Sequence, residues 1–495
     1  SNLLFKQVSK AYNEYENKVE SGDPRASFYF ASKSVLIDIV TSQNIQLVEN
    51  INPIEELAVL TRVTPIGIGG VASAEALPTK ALDIHPSYYG NIDTLETPDG
   101  PNVGVQQHLA LGSAISDLNG TFFTKNKDKI DPTEILSVGP SSIPFVESNE
   151  GARVLMASNQ IKQALPLKNP EIPAIQTGIE SILPKYLSDS FVKKSPVDGT
   201  VIEITNKYIL IKDSKNRKHA VDISEREVRS GQGKHGLSIF RPLVSVASKV
   251  SKQQIIAEGA CLKNSTISNG INVLVAYIPW KGYNFEDGMV VSEELVEKFT
   301  SVHNEIEEVL LEEDDEIIAI TEVGKTLKKG DVLLGYTKLT QEVSSYMYLR
   351  TDGGIVSSIE VYSNLKENRI PKLLIPAYEN FKKEYITING SYPSGKFKYR
   401  NTESPFKGIL VRFKVNQFFE LKKGDKLNNR HFNKGVVAII EKKENMPVTP
   451  WGESVQMVYN PLAIVNRMIS GQLLEMHTGL ISKKLAELMI KQRKS

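Results

Sequence analysis

The sequence is poor in cysteine, in long apolar runs and in net charge, and each shortage excludes a class of protein. Cys261 is the single cysteine in 495 residues, so the chain can form neither an internal disulfide nor a CxxC zinc pair, and a reducing, intracellular compartment is favoured. No apolar run reaches the roughly 18 residues that a bilayer-spanning helix needs, so no membrane association is expected. The formal net charge is +1, and any contact with nucleic acid must therefore come from local basic clusters.

Several familiar catalytic signatures are missing as well. The seven histidines are scattered singly, without the HxH or HxxxH spacing of a zinc site, and no GxSxG nucleophile motif occurs. "SGQGKHG" at 230–236 lacks the spacing of a phosphate-binding P-loop and the hydroxyl residue that should follow its lysine. The acidic run "EEDDE" at 312–316 is more typical of a solvated turn than of a cation site. A self-contained active site is therefore not indicated.

The patterns that are present predict several domains of mixed structure. At roughly 100–200 residues per domain, the length suggests three or four domains. Helical spacing of apolar residues dominates 1–60 and the C-terminal 471–495, whereas 64–104 is rich in glycine and proline and predicts ordered loops. Short alternating strands are predicted in 196–245 and 304–345. Together these patterns predict an α+β, multidomain fold with barrel-like elements.

One segment concentrates basic residues. "LKKGDKLNNRHFNKGVVAIIEKK" at 421–443 holds seven cationic side chains against Asp425 and Glu441. Lysine suits phosphate oxygens without base preference, and glycines within the segment permit close approach of the backbone to a ligand. On charge alone, a solvated basic hairpin is the commoner outcome.

A second segment, "GYNFEDGMVVSEEL" at 282–295, places Glu286 and Asp287 side by side after an apolar run. Adjacent carboxylates could hold a metal ion, or they could form a solvated turn, and the residues alone leave both alternatives open. We predict that the neighbouring Tyr283 and Phe285 pack inside the barrel-like element that positions the acids.

Six stretches occur in one order along 45–480, and together they resemble the second-largest (β) subunit of multisubunit DNA-directed RNA polymerases. The stretches are "NPIEELAVLTRVTPIGIGG" (52–70), "DIHPSYYGNIDTLETPDGPNVG" (83–104), "RVLMASNQIKQALPL" (153–167), "GINVLVAYIPWKGYNFEDGMVVSEELV" (270–296), "KKGDKLNNRHFNKGVV" (422–437) and "YNPLAIVNRMISGQLLEMHTG" (459–479).

The resemblance implies a double-psi β-barrel, a fork region and an inserted wall/flap domain. The implied domains are the end of the protrusion with the fork and a rifamycin-pocket-like segment (1–187), the hybrid-binding region with the barrel (188–300 plus 408–480), the wall and flap (301–407), and a C-terminal helical tail (481–495). In this arrangement 360–407 would be the flap tip. Its apolar residues either bind an initiation factor or pack locally, and the sequence favours neither; they are Ile370, Leu373, Leu374 and Ile375.

The resemblance also implies roles for single residues. Lys426 and Lys434 would be catalytic and face the RNA 3′ end and the incoming nucleotide, and fixed cations there would stabilise phosphoryl charge. Arg467 and Arg153 would bind the nucleoside triphosphate.

A further group of residues would contact RNA or the RNA–DNA hybrid: Gln163, Lys162, Asn102 and Arg430. Two positions in the motifs that supply these site residues depart from the family pattern. Lys162 stands where the family has arginine, and Phe432 stands where it has glycine, which makes the local loop path uncertain.

The family's catalytic Mg²⁺ is held by a DFDGD motif on the β′ subunit, and that motif does not occur in this sequence. The chain is therefore expected to be inactive alone and to need a β′-like partner that carries DFDGD. Asp287 and Glu286 would then assist the magnesium indirectly or through the second ion. The chain would form half of the catalytic cleft of an RNA polymerase, together with template DNA, nascent RNA and NTPs. The alternative is a catalytically silent nucleic-acid-binding or scaffold homologue.

Further expectations follow from the resemblance. The chain begins shortly before the rifamycin-pocket segment and ends soon after the last motif, which favours the C-terminal half of a split β subunit, paired with an N-terminal-half polypeptide. The alternative is that the sequence is a fragment of a longer chain. Such splitting resembles giant bacteriophage non-virion polymerases, and a host-cell cytoplasmic location is expected. Glu49, Val59 and Thr64 align with the family's aspartate, histidine and serine in the rifamycin segment, so we predict resistance to the drug.

Overall fold

A computed structural model describes residues 2–29, 37, 48–67, 70–117, 121–122, 131–229, 235–338, 343–399, 402 and 404–494. The chain divides into two compact units. The first combines Ser1–Val48 with Thr64–Asp83, and the second combines Glu49–Val63 with Ile84–Ser495. Most of the glycine-rich stretch 230–236 lies outside the described residues, so the exclusion of a P-loop there remains a sequence argument.

The described helices of four or more residues occur throughout the chain. They are α1 (Asn2–Glu20) in the first unit, and α2 (Pro53–Leu60), α3 (Val138–Ser141), α4 (Gly151–Lys162), α5 (Glu294–Lys298), α6 (Ile375–Asn389), α7 (Leu462–Arg467) and α8 (Ser470–Lys494) in the second. The helices predicted within 1–60 and at the C-terminus are confirmed at α1, α2 and α8. Between 64 and 104, the helical elements are short 3₁₀ turns, as the glycine and proline content predicted. Among the described helices, none combines the length and the apolar character required to cross a bilayer.

Helix α2 shows how local sequence and core packing act together near the start of the second unit. The Asn52 side chain accepts hydrogen bonds from the N–H groups of Ile54 and Glu55 and so caps the helix. Ile54 and Leu57 then pack into a buried cluster with residues of α3 and α4, including Val154. The cluster fixes the position of α4, on which Arg153 lies.

Small antiparallel sheets fill the region between 192 and 267, which includes the short strands that the sequence predicted in 196–245. The strands of two of these sheets are β3 (Val192–Lys194), β4 (Gly199–Ile204), β5 (Tyr208–Asp213), β6 (Lys218–Asp222), β9 (Arg241–Pro242), β10 (Lys249–Val250) and β11 (Ile255–Glu258). One sheet has four strands in the order β10-β4-β5-β6, and the other has three in the order β3-β11-β9. The remaining two-stranded pairs are β1 (Arg62–Val63) with β2 (Gln107–His108), β7 (Arg226–Arg229) with β8 (His235–Ser238), and β12 (Leu262–Lys263) with β13 (Thr266–Ile267).

Longer strands build the region 301–419. They are β16 (Ser301–Leu311), β17 (Asp315–Ile320), β18 (Thr326–Leu327), β19 (Val332–Lys338), β20 (Val343–Tyr348), β21 (Gly354–Ser363) and β22 (Ile409–Phe419), in sheets ordered β16-β22-β21-β18 and β17-β19-β20. The acidic run forms the turn into β17, where the Asp315 carboxylate accepts a hydrogen bond from the Glu312 N–H at 2.9 Å. The mixture of helices and sheets confirms the α+β class.

The apolar residues of the expected flap tip divide between the two alternatives. Ile370 and Leu374 are buried in the core that β21 and β22 share with α6, so these two pack locally. Leu373 and Ile375 are exposed, at 49% and 37%. Of the four side chains named from the sequence, these two remain available for a partner.

A five-stranded sheet of mixed direction brings distant parts of the chain together. It consists of β14 (Val275–Tyr277), β15 (Gly288–Ser292), β23 (Lys426–Asn428), β24 (Lys434–Glu441) and β25 (Met457–Tyr459), in the order β14-β25-β15-β24-β23. β15 runs parallel to β24, and β24 runs antiparallel to β23. The acidic segment and the basic segment are therefore neighbours in space.

Candidate functional site

Strand register places two lysines of the basic segment, Lys426 and Lys434, on one face of the five-stranded sheet. Lys426 pairs with Val436, and Asn428 pairs with Lys434, in the antiparallel β23–β24 ladder. Lys426 and Lys434 are therefore diagonal neighbours, a relationship that typically separates Cα atoms by about 7–8 Å. Both side chains are exposed, whereas Gly435 between the paired positions is buried. The alternation of the strand thus turns both ammonium groups outward on the same side.

The acidic segment lies directly against this lysine pair. The Asp287 carbonyl accepts a hydrogen bond from the Val436 N–H at 2.9 Å, one residue before β15 begins. A Cβ atom at Gly435 would stand 2.3 Å from the Asp287 carbonyl oxygen and 2.7 Å from Cε of Met289. Glycine is therefore required at 435, and the close approach that it permits brings Asp287 beside β24.

The turn before Asp287 is organised by a buried asparagine. The Asn284 side chain accepts a hydrogen bond from the Trp280 N–H at 2.8 Å and donates one to the Ile278 carbonyl at 2.7 Å. Tyr283 and Phe285 are exposed, at 47% and 76%, so the prediction that they pack inside was wrong. The physical reason is that the turn uses Asn284 to satisfy its own backbone, which leaves the two flanking aromatic rings outside.

Arg467 closes the site from helix α7. Its Nη2 atom lies 2.5 Å from Oδ1 of Asp287, and the two side chains are 21% and 48% exposed. Asn460 precedes this helix, and its side-chain oxygen accepts a hydrogen bond from the Leu462 N–H at the helix start. The amide group of the same side chain donates to the Glu286 carbonyl at 3.4 Å. An ion pair with this exposure contributes about 0.2–1 kcal/mol, so a strongly anionic ligand can replace the carboxylate.

The Phe432 ring lies near both of the arginines that the resemblance assigned to the triphosphate. The guanidinium carbon of Arg153 is 5.0 Å from the ring centroid, and that of Arg467 is 6.0 Å away. The Phe432 backbone has a φ of 67°, in the left-handed region that glycine adopts freely. This backbone conformation suits the glycine that the family has at this position. The loop path, which the sequence left uncertain, has this conformation even though the residue here is phenylalanine.

These side chains line a pocket of about 240 Å³. The lining residues are Asp287, Lys426, Phe432, Lys434, Gly435, Val436 and Arg467. Three of them are cationic and one is acidic, which leaves an excess of two positive charges. A pocket of this composition suits an anionic ligand such as a polyphosphate, because cations without carboxylate partners attract its oxygens.

Two of the predicted RNA-contacting residues are engaged in ion pairs instead of lining this pocket. Lys162 donates to the fully buried Glu96 at 2.9 Å, and its own side chain is 10% exposed. Burial raises the pKa of Glu96, but the charges of Lys162 and His108 more than offset this and hold the pKa below its ordinary value. Nothing in this geometry supports an RNA contact for Lys162. That contact stays a prediction.

Arg430 is likewise bound within the protein. It donates to the Ile175 carbonyl at 2.8 Å and pairs with Glu475 and, at 3.6 Å, with Glu180. Burial raises the pKa of Glu475, whereas His431 and Arg430 lower it, and the resulting pKa is about 2. Arg430 therefore stabilises the loop that carries Phe432, and its role in hybrid binding stays a prediction.

The other two predicted RNA-contacting residues are exposed. Gln163 follows the last residue of α4, and Asn102 ends a 3₁₀ turn at Gly100–Asn102. Both are accessible to a ligand, and neither lines the pocket.

The carboxylates of this chain fit only part of a magnesium site. Within the described residues, no group of three or more histidine, cysteine, aspartate or glutamate side chains could hold a metal ion. Magnesium prefers about six oxygen ligands. Asp287 and Glu286 are exposed and adjacent, so they fit as contributors to a site whose other oxygen ligands come from elsewhere.

Sequence reasoning missed three residues that shape the site, namely Asn284, Asn460 and Asn149. Asn149 lies 3.0 Å from Nδ1 of His431 and accepts a hydrogen bond from the Gly471 N–H, and it so joins the Phe432 loop to helix α8. Asparagine in a turn is a usable signal for Asn284. The contacts of Asn149 span 282 and 322 residues and leave no local pattern in the sequence.

Comparisons with known proteins give one consistent result. The family model described as RNA polymerase Rpb2, domain 6, matches residues 195–492, and that described as RNA polymerase Rpb2, domain 3, matches residues 46–115. Similar proteins named DNA-directed RNA polymerase subunit beta occur in Mycoplasma mycoides subsp. mycoides SC (28% identical, 99% of this chain and 44% of the relative) and Trieres chinensis (27%, 97% and 39%). A further relative of that name, from Prochlorococcus marinus strain AS9601, is 29% identical over 89% of this chain and 46% of the relative. The chain thus spans less than half the length of these relatives.

Proposed function

The chain belongs to the Rpb2 family, the β subunits of DNA-directed RNA polymerases, and from that premise we propose that its pocket forms one half of a nucleotidyl-transfer site. The other half, including the main magnesium ligands, would come from a β′-like subunit that carries DFDGD. The observation that carries this proposal is the convergence of Lys426, Lys434 and Arg467 around Asp287, from segments up to 180 residues apart.

The two lysines would act on the transferred phosphoryl group. Nucleotidyl transfer develops negative charge on phosphoryl oxygens, and a cation that is already in place stabilises that charge without reorganisation. The β23–β24 pairing fixes the backbones of Lys426 and Lys434, and both side chains line the pocket where this charge would develop. They would face the RNA 3′ end and the incoming nucleotide.

The two arginines would hold the triphosphate of the incoming NTP. Arginine donates several hydrogen bonds in one plane, which suits phosphate oxygens. Arg467 would exchange its exposed bond to Asp287 for a triphosphate oxygen, and Arg153 would contact the same group from α4. The exchange releases the Asp287 carboxylate at the moment when the nucleotide binds.

Magnesium would be held mainly by the partner, where it supplies charge neutralisation and Lewis acidity to phosphoryl transfer. Asp287, released from Arg467, and Glu286 would act on that ion indirectly, through its bound water, or would contribute oxygens to a second, nucleotide-bound ion. This chain would then be inactive alone, since it holds no complete set of metal ligands within the described residues.

The remaining expectations have less support and stay proposals. Exposed Gln163 and Asn102 would contact RNA or the hybrid, together with Lys162 and Arg430 if these leave their carboxylates. We propose that the five-stranded sheet belongs to a double-psi barrel, and that 360–407 is a flap tip at which an initiation factor would contact Leu373 and Ile375. The split organisation, the phage source and the cytoplasmic location stay predictions.

The test is reconstitution followed by RNA synthesis. The chain should co-purify with a DFDGD-containing subunit, and the assembled complex should extend an RNA primer on a DNA template. The double variant Lys426→Ala/Lys434→Ala should assemble but lose elongation by at least about 100-fold, the usual cost of removing transition-state donors. The matched control is Lys422→Ala/Lys423→Ala, which removes two exposed lysines from the same segment outside the pocket.

Two outcomes would contradict the proposal. Normal elongation by the Lys426→Ala/Lys434→Ala complex would refute the roles of the lysines. A wild-type complex that binds template and primer but makes no RNA would favour the silent scaffold.

A further inference from the structure

The Phe432 loop is fixed at the residues before and after Phe432. The Asn429 side chain accepts hydrogen bonds from the N–H groups of His431 and Asn433, at 2.9 and 3.1 Å. His431 and Asn433 are 1% and 2% exposed, and His431 is also bonded to Glu475 on α8. The Phe432 ring packs against the buried cluster that includes Val154 of α4. The ring therefore has one well-determined position.

A phenylalanine in this conformation needs a compensating role. At a φ of 67° a Cβ atom is strained, and glycine would adopt the same backbone freely. Phe432 lines the charged pocket, and its ring is in contact with two guanidinium groups. These groups come from helices α4 and α7, 314 positions apart in the sequence, and the ring is a contact that they share.

An aromatic ring and a carboxylate hold an arginine side chain in different ways. The face of an aromatic ring attracts a guanidinium group without neutralising its charge, and it leaves the in-plane N–H donors available for phosphate oxygens. A carboxylate partner, such as Asp287 for Arg467, cancels the charge and occupies donors. The ring can thus keep both arginines close to the pocket during the interval in which Arg467 leaves Asp287.

From this geometry we propose that Phe432 is a positioning residue for nucleoside triphosphate binding. Its ring would hold Arg153 and Arg467 in place before the nucleotide binds, through its contacts with both guanidinium groups. The proposal rests on the proposed function, because it assumes that these arginines bind the triphosphate. Phe432 itself touches neither the reacting atoms nor the metal in this scheme.

The test compares three variants in the reconstituted complex, with single-nucleotide addition measured at a series of NTP concentrations. Phe432→Leu keeps apolar bulk but removes the aromatic face, Phe432→Gly also relaxes the backbone, and Phe432→Tyr keeps the ring. We expect Phe432→Leu and Phe432→Gly to raise KM for NTP by about 5- to 30-fold, as two cation–π contacts predict, with kcat changed by less than about threefold. Phe432→Tyr should stay within about twofold of the wild-type KM.

Two further measurements separate this role from a structural one. Thermal unfolding of Phe432→Leu should show no loss of stability that parallels its KM, since leucine keeps an apolar side chain against the buried cluster. In the Arg153→Ala background, Phe432→Leu should raise KM by less than it does in the wild type, because one of the ring's two partners is gone.

Three results would overturn the inference. They are an unchanged KM in Phe432→Leu, an equal rise in Phe432→Tyr, and full additivity with Arg153→Ala. If these occur while Lys426→Ala/Lys434→Ala still abolishes elongation, the inference fails and the proposed function stands. If the wild-type complex makes no RNA, both fail.

Discussion

The Arg467 guanidinium donates a hydrogen bond to the Asp287 carboxylate across 180 residues of sequence, with 2.5 Å between Nη2 and Oδ1. This bond joins the residue assigned to the triphosphate to the residue assigned to the metal. Both side chains are partly exposed, so the pair is weak enough to be exchanged for a ligand. One carboxylate of the acidic pair is thus bound to a cation of the same pocket.

Replacing Asp287 by asparagine should impair elongation and raise the magnesium requirement. The amide keeps the shape of the side chain but removes the charge that would contribute to the metal site, and losses of about 10- to 100-fold are typical for groups that support a metal. KM for NTP should not rise, because Arg467 loses a competing partner. The measurement is elongation rate against magnesium concentration, with Glu297→Gln as the control at an exposed carboxylate outside the pocket. An unchanged magnesium dependence would refute the role of Asp287.

Alanine at Gly435 should destabilise the sheet that carries the lysines. The added Cβ would lie 2.3 Å from the Asp287 carbonyl oxygen, so β15 and β24 must separate. Overpacking of this kind costs about 1–3 kcal/mol in the free energy of unfolding. The measurement is denaturant unfolding, and the control is Gly270→Ala, where a Cβ meets no atom within 4 Å. Equal stability of the two variants would contradict the close approach described for β24.

Replacing Lys162 by methionine should destabilise the protein by about 3–5 kcal/mol at neutral pH, since it leaves Glu96 buried without its ammonium partner. The folded pKa of Glu96 is lowered in the wild type, so its contribution to stability is present above the unfolded carboxyl pKa and is lost as pH falls through the folded value. In Lys162→Met, burial should instead raise the pKa of Glu96, so the stability deficit should begin to shrink as pH falls through that raised value towards about 4, and it should shrink further as pH falls through the lowered pKa of Glu96 in the wild type.

The measurement for Lys162→Met is the free energy of unfolding as a function of pH, with Lys162→Arg as the charge-retaining control. A deficit that is constant with pH would show that the ion pair is not its cause. Elongation by the Lys162→Arg complex tests the expected RNA contact separately, because arginine stands at this position in the family.

The assembled complex should continue RNA synthesis in rifamycin at concentrations that inhibit a bacterial polymerase. Val59 cannot supply the hydrogen-bonding ring that the family's histidine presents, and Glu49 and Thr64 replace two further polar groups. The measurement is primer-independent transcription with and without the drug, and a bacterial enzyme is the positive control for inhibition. Strong inhibition of this complex would refute the prediction.

The residue types in the site could be predicted from the sequence, but their partners could not. Lys426, Lys434, Asp287 and Arg467 were named from collinear motifs, and the structure brings all four to one pocket. Lys162 and Arg430 were named with the same reasoning, yet they are paired with Glu96 and Glu475. A basic residue in a motif looks the same whether it binds a ligand or a buried carboxylate, because the difference depends on a contact far away in the sequence.

By itself the sequence determined the family, the α+β class and the shortage of metal ligands, because these depend on local patterns, on collinear motifs and on the absence of DFDGD. Only the tertiary structure decided that Tyr283 and Phe285 are exposed, that Arg467 holds Asp287, and that the Phe432 ring lies near two arginines. The physical reason is that periodicity records which residues share a strand or helix face. Contacts between elements separated by hundreds of residues depend on how sheets and loops pack, and no local pattern encodes them.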